Sequence, residues 1–135
     1  MRSESVPVLR SDLFLAAIML VTGLFSGGVA ALRTVPVVGA TVGALIAASL
    51  YLAEHDVVPG IYPEVASVAA FVATAAVAVG FVVVLSASTA VVGAAALTGG
   101  GVGVTVYRLV FGVVRPVPEY RLRKDEEPEE AIEPE

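Results

Sequence analysis

Polar and apolar positions along this chain segregate into blocks. Four long uncharged runs are separated by short charged or turn-forming interruptions, and a charged segment closes the sequence. A bilayer core of roughly 30 Å is crossed by about 20 helical residues at about 1.5 Å rise each, which is the length of every run. The first, residues 13–32, lies between Asp12 and Arg33. The second, 35–53, stops at Glu54-His55-Asp56, and the third, 65–85, is entered through a turn marked by Pro59, Gly60 and Pro63. The fourth, 88–107, contains the glycine-rich stretch "LTGGGVGVTVYR".

The pattern predicts an all-α integral membrane bundle of four transmembrane helices. Residues 1–12 form an N-terminal segment, 13–115 the membrane domain, and 116–135 a charged, disordered tail. Only Arg33 and Thr34 separate the first two runs, and the "SAST" link before the fourth is almost as short. Two tight helical hairpins are expected, with Pro36 tolerated in the first turn of its helix because amides there lack intrahelical partners. No residue-level repeat relates the halves. Although Arg2 and Arg10 precede the first run and "GGVAA" ends it, the run is longer than a signal core and leads at once into another span. Cleavage is not expected; were it to occur, three spans would remain.

Composition reinforces this picture: 57% of the 135 residues are hydrophobic and 16% charged, with a mean hydropathy of +0.89, far above a soluble domain. With four spans both termini share one side, which carries Arg2, Arg10, Arg108, Arg115, Arg121, Arg123 and Lys124, against Arg33 on the other. That asymmetry places the termini in the cytoplasm or, in a virion, in the interior. The segment from residue 116 onward carries three basic and eight acidic residues and supplies the whole net charge of −5. Its basic start would lie near anionic headgroups, and its acidic end would project away. Arg121, Arg123, Lys124, Glu126 and Glu127 are candidates for docking a partner. There is no cysteine, so disulfides and thiolate metal sites are excluded.

The glycine run does not match nucleotide-binding loops. A phosphate loop requires lysine and a hydroxyl residue after its last glycine, whereas Val104 and Thr105 follow Gly103; the dinucleotide fingerprint fails at Val104. A broken transporter helix would recruit intramembrane carboxylates, asparagines or histidines, and the four runs contain none. Small multidrug transporters need a membrane-embedded glutamate in the first helix, which is missing here. Fluoride channels lead from a glycine-rich start to an arginine, but "GGVAALR" has shorter spacing and the pore asparagine and phenylalanine motifs are absent. The single histidine, His55, lies in "EHD", whose consecutive side chains diverge and do not converge on a metal; a hydrated polar turn is expected.

Packing accounts for more of the residues. Gly23 and Gly27, Gly39 and Gly43, and Gly99 and Gly103 each form G-x-x-x-G, while Ala66, Ala69, Ala73, Ala76 and Gly80 share a face of the third run. Small residues at this spacing let helix backbones approach closely, which predicts a compact bundle or an oligomer. Arg33, Tyr107, Arg108 and Arg115 are expected to anchor helix ends at the membrane interface, with Arg108 reaching the headgroups along its long stem. The segment 109–114, "LVFGVV", would follow as an interfacial helix. Three successive glycines allow a local kink in the fourth span.

The Ala, Val and Gly richness, the single lysine, Lys124, and the tail "RKDEEPEEAIEPE" resemble proteins of halophilic archaea. In layout the chain is similar to the small internal membrane proteins of haloarchaeal pleomorphic viruses. The resemblance implies an envelope component beneath the spike, with charged parts facing the virion interior. The expected function is a non-enzymatic structural or accessory membrane protein without catalytic site, metal or cofactor. Its partners would be the lipid bilayer and further copies or a larger assembly, with neither nucleic acid nor a small-molecule substrate. The alternative is a small channel or transporter subunit built on the glycine-rich fourth helix.

Overall fold

The computed structural model describes residues 5–123. Its helices are α1 (Ser5–Phe25), α2 (Gly28–Thr34), α3 (Pro36–Glu54), α4 (Pro63–Val84) and α5 (Thr89–Arg108), followed by a π-helical turn, Leu109–Val114. Four helices, α1, α3, α4 and α5 with its π extension, are long and apolar enough to cross a membrane.

Boundaries follow local chemistry. Pro36 and Pro63 occupy first-turn positions of α3 and α4, where a missing N–H costs nothing and the fixed φ is already helical. Ser88 caps α5, its Oγ accepting from the Val91 amide at 3.2 Å. The largest departure from the predicted boundaries is in the first span. The apolar stretch of α1 begins at Val6 and the helix ends at Phe25, because Gly27 turns the chain with φ +88°, a left-handed conformation that glycine adopts without a Cβ penalty. Residues 13–32 are thus divided between two helices, and Asp12 lies inside α1.

The expected pairing into two hairpins is also corrected. Helix α5 packs between α1 and α3, and α4 lies on the far side of α3, so the order across the molecule is α1, α5, α3, α4. Sequence neighbours α4 and α5 touch only slightly. Short α2 folds back over α5 at the end away from the termini. There Gly23 of α1 and Gly28 of α2 close around Thr98 of α5, where a Cβ on either glycine would overlap the Thr98 side chain.

The α3–α5 contact is made through backbone. A Cβ on Gly99 would overlap the Gly39 main chain, one on Gly103 that of Gly43, and one on Gly43 would lie 2.6 Å from the Gly99 carbonyl oxygen. Gly100 and Gly101 are filled by Met19 and Ile46 and by Leu20 respectively. Helix α5 runs unbroken through all these glycines. The irregularity comes later, at Phe111 of the π turn (φ −101°, ψ 45°), a segment that continues α5 directly.

Candidate functional site

The antiparallel course of the long helices brings the start of α1, the end of α3, the start of α4 and the end of α5 to one end of the molecule. Each contributes polar side chains there. Arg108 is 1% exposed and its guanidinium spans two carboxylates from different helices. Nε donates to Asp12 Oδ2 at 2.6 Å, Nη2 lies 2.5 Å from the same oxygen, and Nη1 donates to Glu54 Oε2 at 3.2 Å, with Nη2 also on Glu54 Oε1. Tyr107 donates its hydroxyl to Glu54 Oε2 at 2.7 Å. The cluster ties α1, α3 and α5 together. No buried side-chain nitrogen or oxygen among the described residues lacks a partner.

The electrostatics explain why these partners go together. Glu54 is the last residue of α3 and is 3% exposed, so its charge lies beside the partially negative end of its own helix, an unfavourable position. Removing it from water adds a desolvation cost that only a close, hydrogen-bonded cation offsets. Arg108 supplies that cation with the planar, forked donor set that matches carboxylates. An aromatic layer flanks the cluster: Tyr51 stacks on His55 at 4.0 Å, His55 meets Phe111 at 5.5 Å, and Phe111 lies 4.9 Å from Tyr107.

Beside the ion pairs lies a cavity of about 190 Å³, lined by Asp12, Glu54, Glu64, Ser67, Arg108 and Arg121. The chain beyond the π turn crosses this end of the molecule. Val117 is buried against Val8 and Leu9 of α1, and the Tyr120 hydroxyl bonds Glu64 of α4.

No family model, curated protein or solved structure matches this chain.

Several sequence-derived expectations are revised by that geometry. Tyr107 and Arg108, expected to anchor at the headgroups, are both buried, at 5% and 1% exposure, because two carboxylates inside the fold offer the guanidinium a closer partner than solvent. Glu54, expected in a hydrated turn, is the second pole of the same cluster, whereas Asp56 is exposed. Arg33 and Arg115 are exposed at helix ends. Gly27 makes a turn rather than a packing contact.

On α4, Ala69 and Ala73 face outward and a Cβ on Gly80 would meet nothing within 4 Å. The buried positions of that helix are Pro63, Ser67 and Thr74, so its inward face is not the alanine stripe. Arg121 borders the cavity and Arg123 is exposed. Lys124, Glu126 and Glu127 lie outside the described residues, as does most of the acidic tail.

Sequence reasoning missed the Asp12–Arg108–Glu54 cluster. A usable signal was present: one charge bounds each of three runs, and alternating helix direction puts all three at the same end. Interior hydroxyls behave as expected of helical Ser and Thr. Ser49, Thr74, Thr98 and Thr105 donate to the carbonyls four residues earlier at 2.7 to 2.8 Å, so each hydroxyl hydrogen is taken up within its own helix.

Proposed function

We propose that this protein is a non-enzymatic, multi-pass membrane protein that serves as a structural or accessory component of a membrane assembly. The observation that carries the reading is the Arg108 cluster, a three-helix ion lock with its hydrogen bonds satisfied. A charged group placed for catalysis or transport has to exchange partners, whereas this guanidinium has five donors largely committed to two carboxylates, buried Glu54 and partly buried Asp12. The close Gly39–Gly99 and Gly43–Gly103 contacts support the same reading, since they make α5 a fixed spine between α1 and α3. In the membrane the cluster end, with both termini, faces the cytoplasm or a virion interior, following the distribution of Lys and Arg.

The composition favours a haloarchaeal membrane or the envelope of a haloarchaeal virus as the setting. The glycine-rich helix gives the channel alternative little support, because Gly99, Gly100 and Gly101 are occupied by neighbouring backbone and side chains.

The test is recovery from native membranes in mild detergent, with quantification of the protein against co-purifying components. A structural role predicts high abundance and constant stoichiometry with an assembly or vesicle. Recovery alone at trace levels would count against it, as would rapid ion flux through liposomes containing the pure protein.

A further inference from the structure

The backbone contact between α3 and α5 leaves a groove along one side. About 380 Å³ in volume, it is lined by the four glycines of that contact together with Ala40, Ala44, Val102 and Val106, which are exposed, and its lining carries no polar side chain. From Gly39 to Ala47 it follows α3 for about 12 Å at about 1.5 Å per residue, close to the roughly 15 Å of hydrocarbon in one leaflet of a 30 Å core. At its mouth Leu32 of α2 packs over Gly39, and the next residue, Arg33, is exposed. Every carboxylate of the described residues, from Asp12, Glu54, Asp56, Glu64 and Glu119, lies at the opposite end of the molecule. The counter-charge of Arg33 therefore comes from outside the chain.

We propose that the groove holds one hydrocarbon chain of a single anionic phospholipid, whose phosphate pairs with Arg33 in the leaflet opposite the Arg108 cluster. Two independent features select this occupant. An unfilled groove forfeits dispersion contacts along its walls, and hydrocarbon restores them without asking for a hydrogen bond that the lining cannot make. At the mouth, the forked donors of a guanidinium match a phosphate group. A helix from a second copy fits less well. The groove stops at Ala47, partway along α3 (Pro36–Glu54), and a two-fold interface built on it would bring the Arg33 of each copy together with no acid between them. The site rests on the membrane insertion proposed above, though not on the structural role.

The experiment places the full-length protein in nanodiscs of phosphatidylglycerol and phosphatidylcholine, mixed in equal amounts with identical acyl chains, and counts the lipids it retains by native mass spectrometry. The expected result is one retained phosphatidylglycerol per chain, favoured about fivefold over phosphatidylcholine. Arg33→Gln brings that preference close to one to one, and Arg33→Lys keeps most of it. Ala44→Leu puts a branched side chain into the open groove and removes retained lipid of both kinds; Ala40→Leu, one turn earlier, does the same and guards against a folding defect at Ala44. Ala73→Leu, the same change on the outward face of α4, leaves retention unchanged. Wild-type retention that follows the bulk ratio, a preference that survives Arg33→Gln, or lipid retained equally by both groove variants would each overturn the site. So would a dimer that Ala44→Leu dissociates, which would assign the groove to a second copy. Alkaline carbonate extraction of native membranes separates the two readings: a chain released by it overturns membrane insertion and the site together, whereas a chain that stays in the membrane but retains no phosphatidylglycerol overturns the site alone.

Discussion

Helices α4 and α5 are neighbours in sequence and differ in the opposite sense from helices of a soluble protein. The apolar stretch of α4 is the most hydrophobic of the four, yet 11% of it is buried; α5, with its glycines, threonines and an arginine, is 50% buried. In water the order would be reversed, since apolar area drives burial there. In a lipid-like surround hydrocarbon gains little by leaving the surface, and helices associate through close backbone approach and polar contacts instead. The contrast therefore supports membrane insertion independently of helix length. It also shows why an alanine-rich face is a weaker packing signal than a glycine opposite a glycine: α4 carries the former and turns it outward.

Substitutions can break this contrast. The largest effect is expected for Arg108→Met, which leaves buried Glu54 and partly buried Asp12 without a counter-charge and should cost about 3–5 kcal/mol, measured as a shift in denaturant unfolding in detergent. Adding Asp12→Asn and Glu54→Gln should restore much of that loss; no recovery in the triple variant would show that packing of the guanidinium, rather than charge balance, holds the end together. Gly99→Ala places a methyl into the Gly39 backbone and should destabilise by about 1–3 kcal/mol. Loss of the α5 cap in Ser88→Ala should cost about 1 kcal/mol in the same assay. Least affected should be Ala73→Leu, on the outward face of α4, with a change within about 0.5 kcal/mol. If instead Ala73→Leu dissociates an oligomer in native mass spectrometry, the outward face of α4 is an interface and the contrast between the helices applies only within one protomer.

The four apolar helices were legible because run length alone marks them. Their arrangement was not, since short links suggest that sequential helices pair, whereas α5 enters between α1 and α3 through glycine contacts that no run length encodes. The boundary of α1 was misplaced because Asp12 reads as the edge of a run when its partner, 96 residues away in Arg108, is not in view. The turn at Gly27 was hidden for the complementary reason: no charge marks it, and "SGG" at 26–28 is its sole trace. Arg108 itself was visible as an unusual residue. Its inward direction depended on Glu54, which looked like the first residue of a polar loop.

The central placement of α5 has a consequence for biogenesis. Ribosomes deliver the helices in order, so α1 and α3 emerge while the strut that fits between them is still unmade. Asp12 and Glu54 then wait for an arginine that lies 54 residues beyond the later of the two. Until it arrives, a nascent chain holding only the first two long helices carries two uncompensated acids and an open glycine-lined seam. Docking of α5 would close both at once.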